Sequence, residues 1–200
     1  MRSSRPLSLL LALLASSILV SACSDDDGSD EDEAQITEAI ELAATSGQPS
    51  ICTEQQTQRF NEQVTGEGGE AATTRCEETA AETPAEDVEV TEIEIDGDAA
   101  TAEAVFTGSF FDGQTLELGL VREDDQWKLD EAIGFVDLDR GAFLNGMRTS
   151  LQEEGGGAPK RTIDCVLGNV EALSDEQFEA LFLDSDPGLD SQVFGTCFGG

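Results

Sequence analysis

From Glu33 apolar residues recur with a helical period. Ile36, Ile40 and Ala43 stand at i, i+4 and i+7, so they share one face, and Gly47-Gln48-Pro49 ends the helix. A second helix is predicted from Thr53 to about Val64, with Phe60 and Val64 one turn apart, and the Thr65–Gly69 stretch stops it. A third, over Glu70–Ala81, ends ahead of Pro84, because the residue before a proline is steered away from helical backbone. Beyond Pro84 the period drops to two. Val88 and Val90 alternate with Glu, while Ile93 and Ile95 continue in the opposite phase, which predicts a bulge near Thr91-Glu92. Asp96-Gly97 is a tight-turn signal. Ala100, Ala102, Ala104 and Phe106 then share one face of a strand expected to reach Phe111. Asp112-Gly113 turns again, Leu116, Leu118 and Leu120 mark a third strand, and Trp127 and Leu129 begin a fourth after the polar Glu123–Gln126 turn.

Helical texture returns at Phe143, Leu144, Met147 and Leu151, a stripe expected to pack back on the sheet. Gly155-Gly156-Gly157-Ala158-Pro159 interrupts it. Ile163, Val166, Leu167 and Val170 then mark an amphipathic helix, and Ser174 with Gln177 three residues on fits a capping box opening a helix with Phe178, Leu181 and Phe182 inward. A last segment, Gly188–Cys197, carries Leu189, Val193 and Phe194. Helices followed by a four-stranded antiparallel meander predict an α+β fold, with a small helical module behind it.

The amino terminus has a different texture. Arg2 and Arg5 form a short positive region, and Leu7–Val20 is an apolar run of 14 residues. As a helix that run spans about 21 Å, short of a ~30 Å hydrocarbon core but suited to an export signal. Val20-Ser21-Ala22-Cys23 resembles the lipobox of bacterial lipoproteins. The resemblance implies that Cys23 is alkylated by a diacylglycerol and becomes the first residue of the mature chain. The protein would then be a palmitate-type lipoprotein, held on the extracytoplasmic face of the cell membrane. Two or more acyl chains hold a protein firmly on a bilayer, at ~0.8 kcal/mol per buried methylene. Seven of the ten residues Ser24–Glu33 are Asp or Glu, and so acidic a segment is expected to be a disordered, solvated tether.

Composition narrows the chemistry. The chain has 43 acidic and 10 basic residues, a formal charge of −33, and neither His nor Tyr. Cleavage before Cys23 removes Arg2 and Arg5 and no acid, moving the charge to −35. Nucleic acid is excluded as a partner, because phosphate neutralisation needs clustered Lys and Arg. Imidazole bases, His ligands to metals and tyrosyl donors are excluded outright. The strong acidity reads as a global surface property that repels anionic headgroups. No GxSxG, Walker A or GxGxxG motif occurs. With so many carboxylates, pairing among them carries no information about glycosidase-like chemistry.

With Cys23 assigned to lipid, four cysteines remain in a chain bound for an oxidising compartment, and four allow three connectivities. The glycine run separates two pairs, so Cys52–Cys76 and Cys165–Cys197 are expected. A zinc site lacks both CxxC spacing and His.

The order of elements resembles the cone-shaped nuclear-transport-factor-like superfamily. More narrowly, Asp87–Leu129, with "DVEVTEIEIDGDAATAEA" and "LVREDDQWKLD", is similar to small bacterial lipoproteins carrying such a domain behind a cysteine-stapled helical part. The likeness implies a curved sheet closed by helices around a small-molecule pocket, with Phe106, Phe110 and Trp127 as candidate lining residues. Enzymes of that superfamily draw on His, Tyr and paired Asp. The expected organisation is a signal peptide (1–22), lipid anchor and acidic tether (23–33), cone-like α+β domain (34–153), Gly/Pro linker (154–159) and helical two-cysteine module (160–200). The expected function is non-catalytic binding or scaffolding at the cell envelope, without a cofactor, and with the bilayer and an apolar ligand or protein as partners. The alternative is an isomerase, dehydratase or hydrolase of the same fold working with carboxylates alone. Asp184, Asp186 and Asp190 raise calcium as a candidate ligand, but their spacing does not match an EF-hand, and an Asp-rich turn is the simpler reading.

Overall fold

Alternation along the chain sets the sheet. In the computed structural model, which describes residues 26–81, 84–109, 111–153 and 159–198, strands β1 (Asp87–Asp96), β2 (Ala99–Thr107), β3 (Thr115–Glu123) and β4 (Gln126–Phe135) form a curved antiparallel meander in the order β1-β2-β3-β4. The β1–β2 register shifts between Thr91 and Glu94, where Glu92 has φ +47°, so the bulge lies where the phase change predicted it. Asp124 and Asp125 both have positive φ, the primed geometry of a two-residue hairpin turn.

One face of the sheet is apolar and closely covered. Ala100, Ala102 and Ala104 of β2, Leu116, Leu118 and Leu120 of β3, and Trp127, Leu129 and Ala132 of β4 are buried there. Helix α1 (Asp26–Thr45) lies on them through Ile36, Ala39 and Ile40.

Three short helices follow α1: α2 (Ile51–Glu54), α3 (Gln58–Thr65) and α4 (Glu70–Thr79). The single helix predicted from Thr53 to Val64 is therefore broken. Thr57 is extended and its hydroxyl accepts from the Phe60 N–H at 3.1 Å, making it the N-cap of α3. The residues between the helices pair with β4 instead: Leu129 N–H donates to the Gln55 carbonyl (2.9 Å) and Thr57 N–H to the Leu129 carbonyl (2.8 Å). The Cys52–Cys76 disulfide joins α2 to α4.

A second core lies beyond β4. Helix α5 (Arg140–Glu153) contributes Phe143 and Met147, α6 (Lys160–Glu171) Ile163, Val166, Leu167 and Val170, and α7 (Asp175–Phe182) Phe178 and Leu181. The capping box at Ser174 and Gln177 is present as predicted. A short α8 (Pro187–Asp190), a π-helical turn (Ser191–Gly195) and α9 (Thr196–Phe198) close the chain, and the Cys165–Cys197 disulfide ties α9 to α6. Both cysteine pairings expected from the sequence are thus formed. Phe111 and Phe135 pack against both cores.

Several expectations need correction. The acidic stretch expected to be a free tether is helical from Asp26, and the reason is a docking contact described below. Strand β2 stops at Thr107, short of Phe111, because Gly108 turns the chain with φ +69°. A Cβ there would sit 2.4 Å from Glu86 Cγ, so only glycine fits. The α5 stripe packs with α6 and α7 rather than on the sheet alone, so this helix shares its core with the C-terminal module. Cys23, Phe110 and linker residues 154–158 lie outside the described residues.

Candidate functional site

The space between α1 and the sheet is a cavity of about 460 Å³. That lies within the ~300–1,000 Å³ typical of small-molecule sites. Its roof is Ile40, Ala43 and Ala44 of α1, and Phe60 and Val64 of α3 form one wall. Leu116, Leu118, Leu129 and Ala132 of the sheet make the floor, and Phe106 of β2 closes one side. Leu183 belongs to the sheet's core, and Phe111 and Phe182 bring in the second core, so the cavity sits where the two cores meet. Only Gln56 and Ser109 among the described lining residues are polar, and none is charged. A smaller cavity of about 210 Å³ shares Ala43, Ala44, Gln56 and Val64 with it and adds Thr65 and Thr79.

Gln56 stands at the junction of the two spaces. The residue is 8% exposed, and its backbone is fixed by the pairing with Leu129. The next residues fasten it further. Thr57 Oγ1 donates to Asp130 Oδ1 (2.8 Å), and Arg59 pairs with Asp130 (2.6 Å) and Glu131 (2.7 Å). Gln56 Oε1 lies 3.2 Å from Cys76 Sγ. A disulfide sulfur has no proton to give, so this contact is not a hydrogen bond in that orientation. Turning the amide over would present an N–H to sulfur, a weak acceptor. In either orientation one polar end of the amide has no protein partner among the described residues.

Of the three aromatic residues expected to line the pocket, the structure brings only Phe106 to it. Phe110 lies outside the described residues. Trp127 is 2% exposed and sits instead under the start of α1. Its indole N–H donates to Asp32 Oδ1 at 3.2 Å, Arg122 makes an ion pair with the same carboxylate, and the Arg122 guanidinium lies 4.7 Å from the ring centroid. Hydrogen bonds from Arg122 and then Trp127 hold the Asp32 carboxyl below the usual carboxylate range. This contact anchors the acidic stretch as helix, because Asp32 supplies the acceptor that the buried indole N–H needs.

Carboxylates elsewhere have structural work. Asp186 accepts from the Gly188 and Leu189 N–H groups as N-cap of α8, and Asp184 accepts from Gln63 Nε2 at 2.8 Å. Gln63 also exchanges two hydrogen bonds with the backbone of Ala132, so it joins α3, β4 and the C-terminal module. No group of three or more metal-ligating side chains occurs among the described residues. Hydrogen bonds from Gln58 and the Gly69 backbone lower the Glu62 carboxyl, and Lys160, then Arg148, lowers that of Asp164. Neither carboxyl lines the cavity.

Compared with known proteins, the chain matches no family model, no curated protein and no solved structure at a significant level. No helix among the described residues is long and apolar enough to cross a membrane.

Gln56 was not legible in the sequence. A lone Gln carries no motif, and the only trace was the uninterrupted polar run Thr53–Arg59 inside a predicted amphipathic helix.

Proposed function

We propose that this protein is a non-catalytic lipoprotein of the cell envelope that holds an apolar small molecule between α1 and the sheet. The observation that carries the reading is the 460 Å³ cavity, whose described lining is apolar apart from Gln56 and Ser109. General acid–base chemistry needs a titratable group within reach of the substrate, and none of the described lining residues is one. An apolar ligand is favoured there by the hydrophobic effect alone, at about 25 cal/mol per Å² of apolar surface removed from water. The cone-shaped nuclear-transport-factor-like superfamily is the fold family to which this reading assigns the helices and meander.

The Arg2/Arg5 region, the Leu7–Val20 run and the Val20–Cys23 lipobox support attachment of the protein to the outer face of the cell membrane through acylated Cys23. Two disulfides fit an oxidising compartment. Native mass spectrometry of the exported protein tests both parts of the reading. The expected spectrum shows the diacylglyceryl mass on Cys23 and an added small molecule that is lost from an Ala44→Phe variant, which fills the cavity roof. An unlipidated chain overturns the anchor. A wild-type chain that carries no added mass and does not take up N-phenyl-1-naphthylamine overturns the ligand reading.

A further inference from the structure

We infer that the cavity selects an uncharged amphiphile, an alkyl-like body with a single small hydrogen-bonding head such as a hydroxyl, ester or amide, and that Gln56 reads the head. The inference rests on the ligand-binding reading above and specifies its chemistry. The body is assigned by the apolar walls of the larger chamber. The head is assigned by the junction, where Gln56, a residue more than nine-tenths buried, lines both chambers and has an amide end with no protein partner among the described residues. That amide end faces open space, so an occupant that excludes water without offering it a hydrogen bond is disfavoured against one that supplies a partner.

Charge decides the rest. A carboxylate head would enter a chamber with no Lys or Arg among its described lining residues, in a protein of formal charge −33. It would lose its water and meet a repulsive field. An ammonium head would be drawn by that field but would find no carboxylate in the described walls, so burying it is also unfavourable. The smaller chamber suits an uncharged head. Thr79 Oγ1 donates to the Arg75 carbonyl, which leaves its oxygen free to accept. Thr65 Oγ1 donates to the Asn61 carbonyl and already accepts from the Glu67 N–H at 3.3 Å, which leaves it a single lone pair. The Gln amide serves as donor or acceptor according to how the head orients it.

Displacement of N-phenyl-1-naphthylamine from the full chain tests this, with the cavity's share of the signal defined as the part lost in Ala44→Phe. 1-Decanol is expected to displace the probe at concentrations at least tenfold lower than decanoate or decylammonium. In Gln56→Leu, the ratio of competition constants for 1-decanol and 1-chlorodecane should shift about tenfold toward the chloride, which has no head to hydrogen-bond. Gln56→Met, close to Gln in length, serves where the leucine variant does not fold. If decanoate or decylammonium competes as well as decanol, or the ratio stays fixed in both variants, this inference fails while the cavity reading stands. If wild type and Ala44→Phe give the same probe signal, the cavity reading itself fails.

Discussion

The contact among Asp32, Arg122 and Trp127 makes a sharp test of how the acidic amino-terminal stretch is held. One carboxylate oxygen serves both the guanidinium and the indole N–H, and Trp127 is 2% exposed while the side chains of Asp32 and Arg122 are 23% and 29% exposed. Asp32→Ala leaves the indole N–H without its acceptor, which costs ~1–3 kcal/mol where water cannot replace it. It also removes a partly exposed ion pair, worth ~0.2–1 kcal/mol. With about a quarter of each charged side chain open to water, the lower part of both ranges applies, and the expected loss is about 1.5–2 kcal/mol. Asp32→Asn keeps an oxygen for the indole and loses only the charge, so its cost is about 0.5 kcal/mol.

Trp127 is the only tryptophan, so intrinsic fluorescence during urea unfolding reports on this contact directly. Its emission should move to longer wavelength in native Asp32→Ala. The Asp32 carboxyl titrates below its ordinary value because Arg122 and Trp127 favour the ionised form. Its contribution is therefore complete above the unfolded pKa of about 3.9 and is lost as pH falls through the lower folded value. The gap between wild type and Asp32→Asn should hold steady from pH 7 to pH 5 and narrow below about pH 4. Equal stability of wild type and Asp32→Ala at pH 7, with unchanged emission, would refute the docking. A wild-type–Asp32→Asn gap that ignores pH would refute its electrostatic part.

Phe178→Ala should cost about 3–5 kcal/mol in urea unfolding, because Phe178 is fully buried and packs on Phe143 and Phe182 at 4.8 and 4.6 Å; a loss under 1 kcal/mol would contradict the packing. Replacing either disulfide's cysteines by Ser should lower stability by nearly equal amounts. The separations of 24 and 32 residues give about 3.5 and 3.7 kcal/mol on the loop-entropy relation, and a silent replacement at either bridge would refute that estimate. Glu103 and Glu117 face each other across β2 and β3, so Glu117→Lys should stabilise the protein by about 0.2–1 kcal/mol at low salt and by less in molar NaCl. Thermal melts at the two salt concentrations check this, and a salt-independent effect would point to packing instead.

The parts of the fold that follow from neighbouring residues could be read in the sequence. Val88 and Val90, Ala100–Ala104 and Leu116–Leu120 fix their faces through the two-residue period, and Ser174 with Gln177 fixes a helix start within one turn. The parts that escaped depend on distant partners. Ser24–Glu33 reads as disordered on charge alone, and the helical state of its described part, from Asp26, depends on Trp127, which lies 95 residues beyond Asp32. Gln55–Thr57 reads as mid-helix until Leu129 offers backbone groups to pair with. Of the cavity, Phe106 was legible as an inward-facing strand residue, whereas Gln56 acquires meaning only where the disulfide, α1 and β4 meet.

The double membership of Phe111 and Phe135 bears on how the chain can be divided. A boundary drawn through the glycine run at Gly155–Gly157 looks like a natural place for truncation. Removing everything after it would leave Phe143 and Met147 without α6 and α7, and would expose the aromatic rings that also close the sheet's core. A fragment with such a surface is prone to self-association. A protease that nicks the glycine run would therefore release no free-standing module: both pieces should stay together until the whole protein melts, and a single cooperative transition should mark the event.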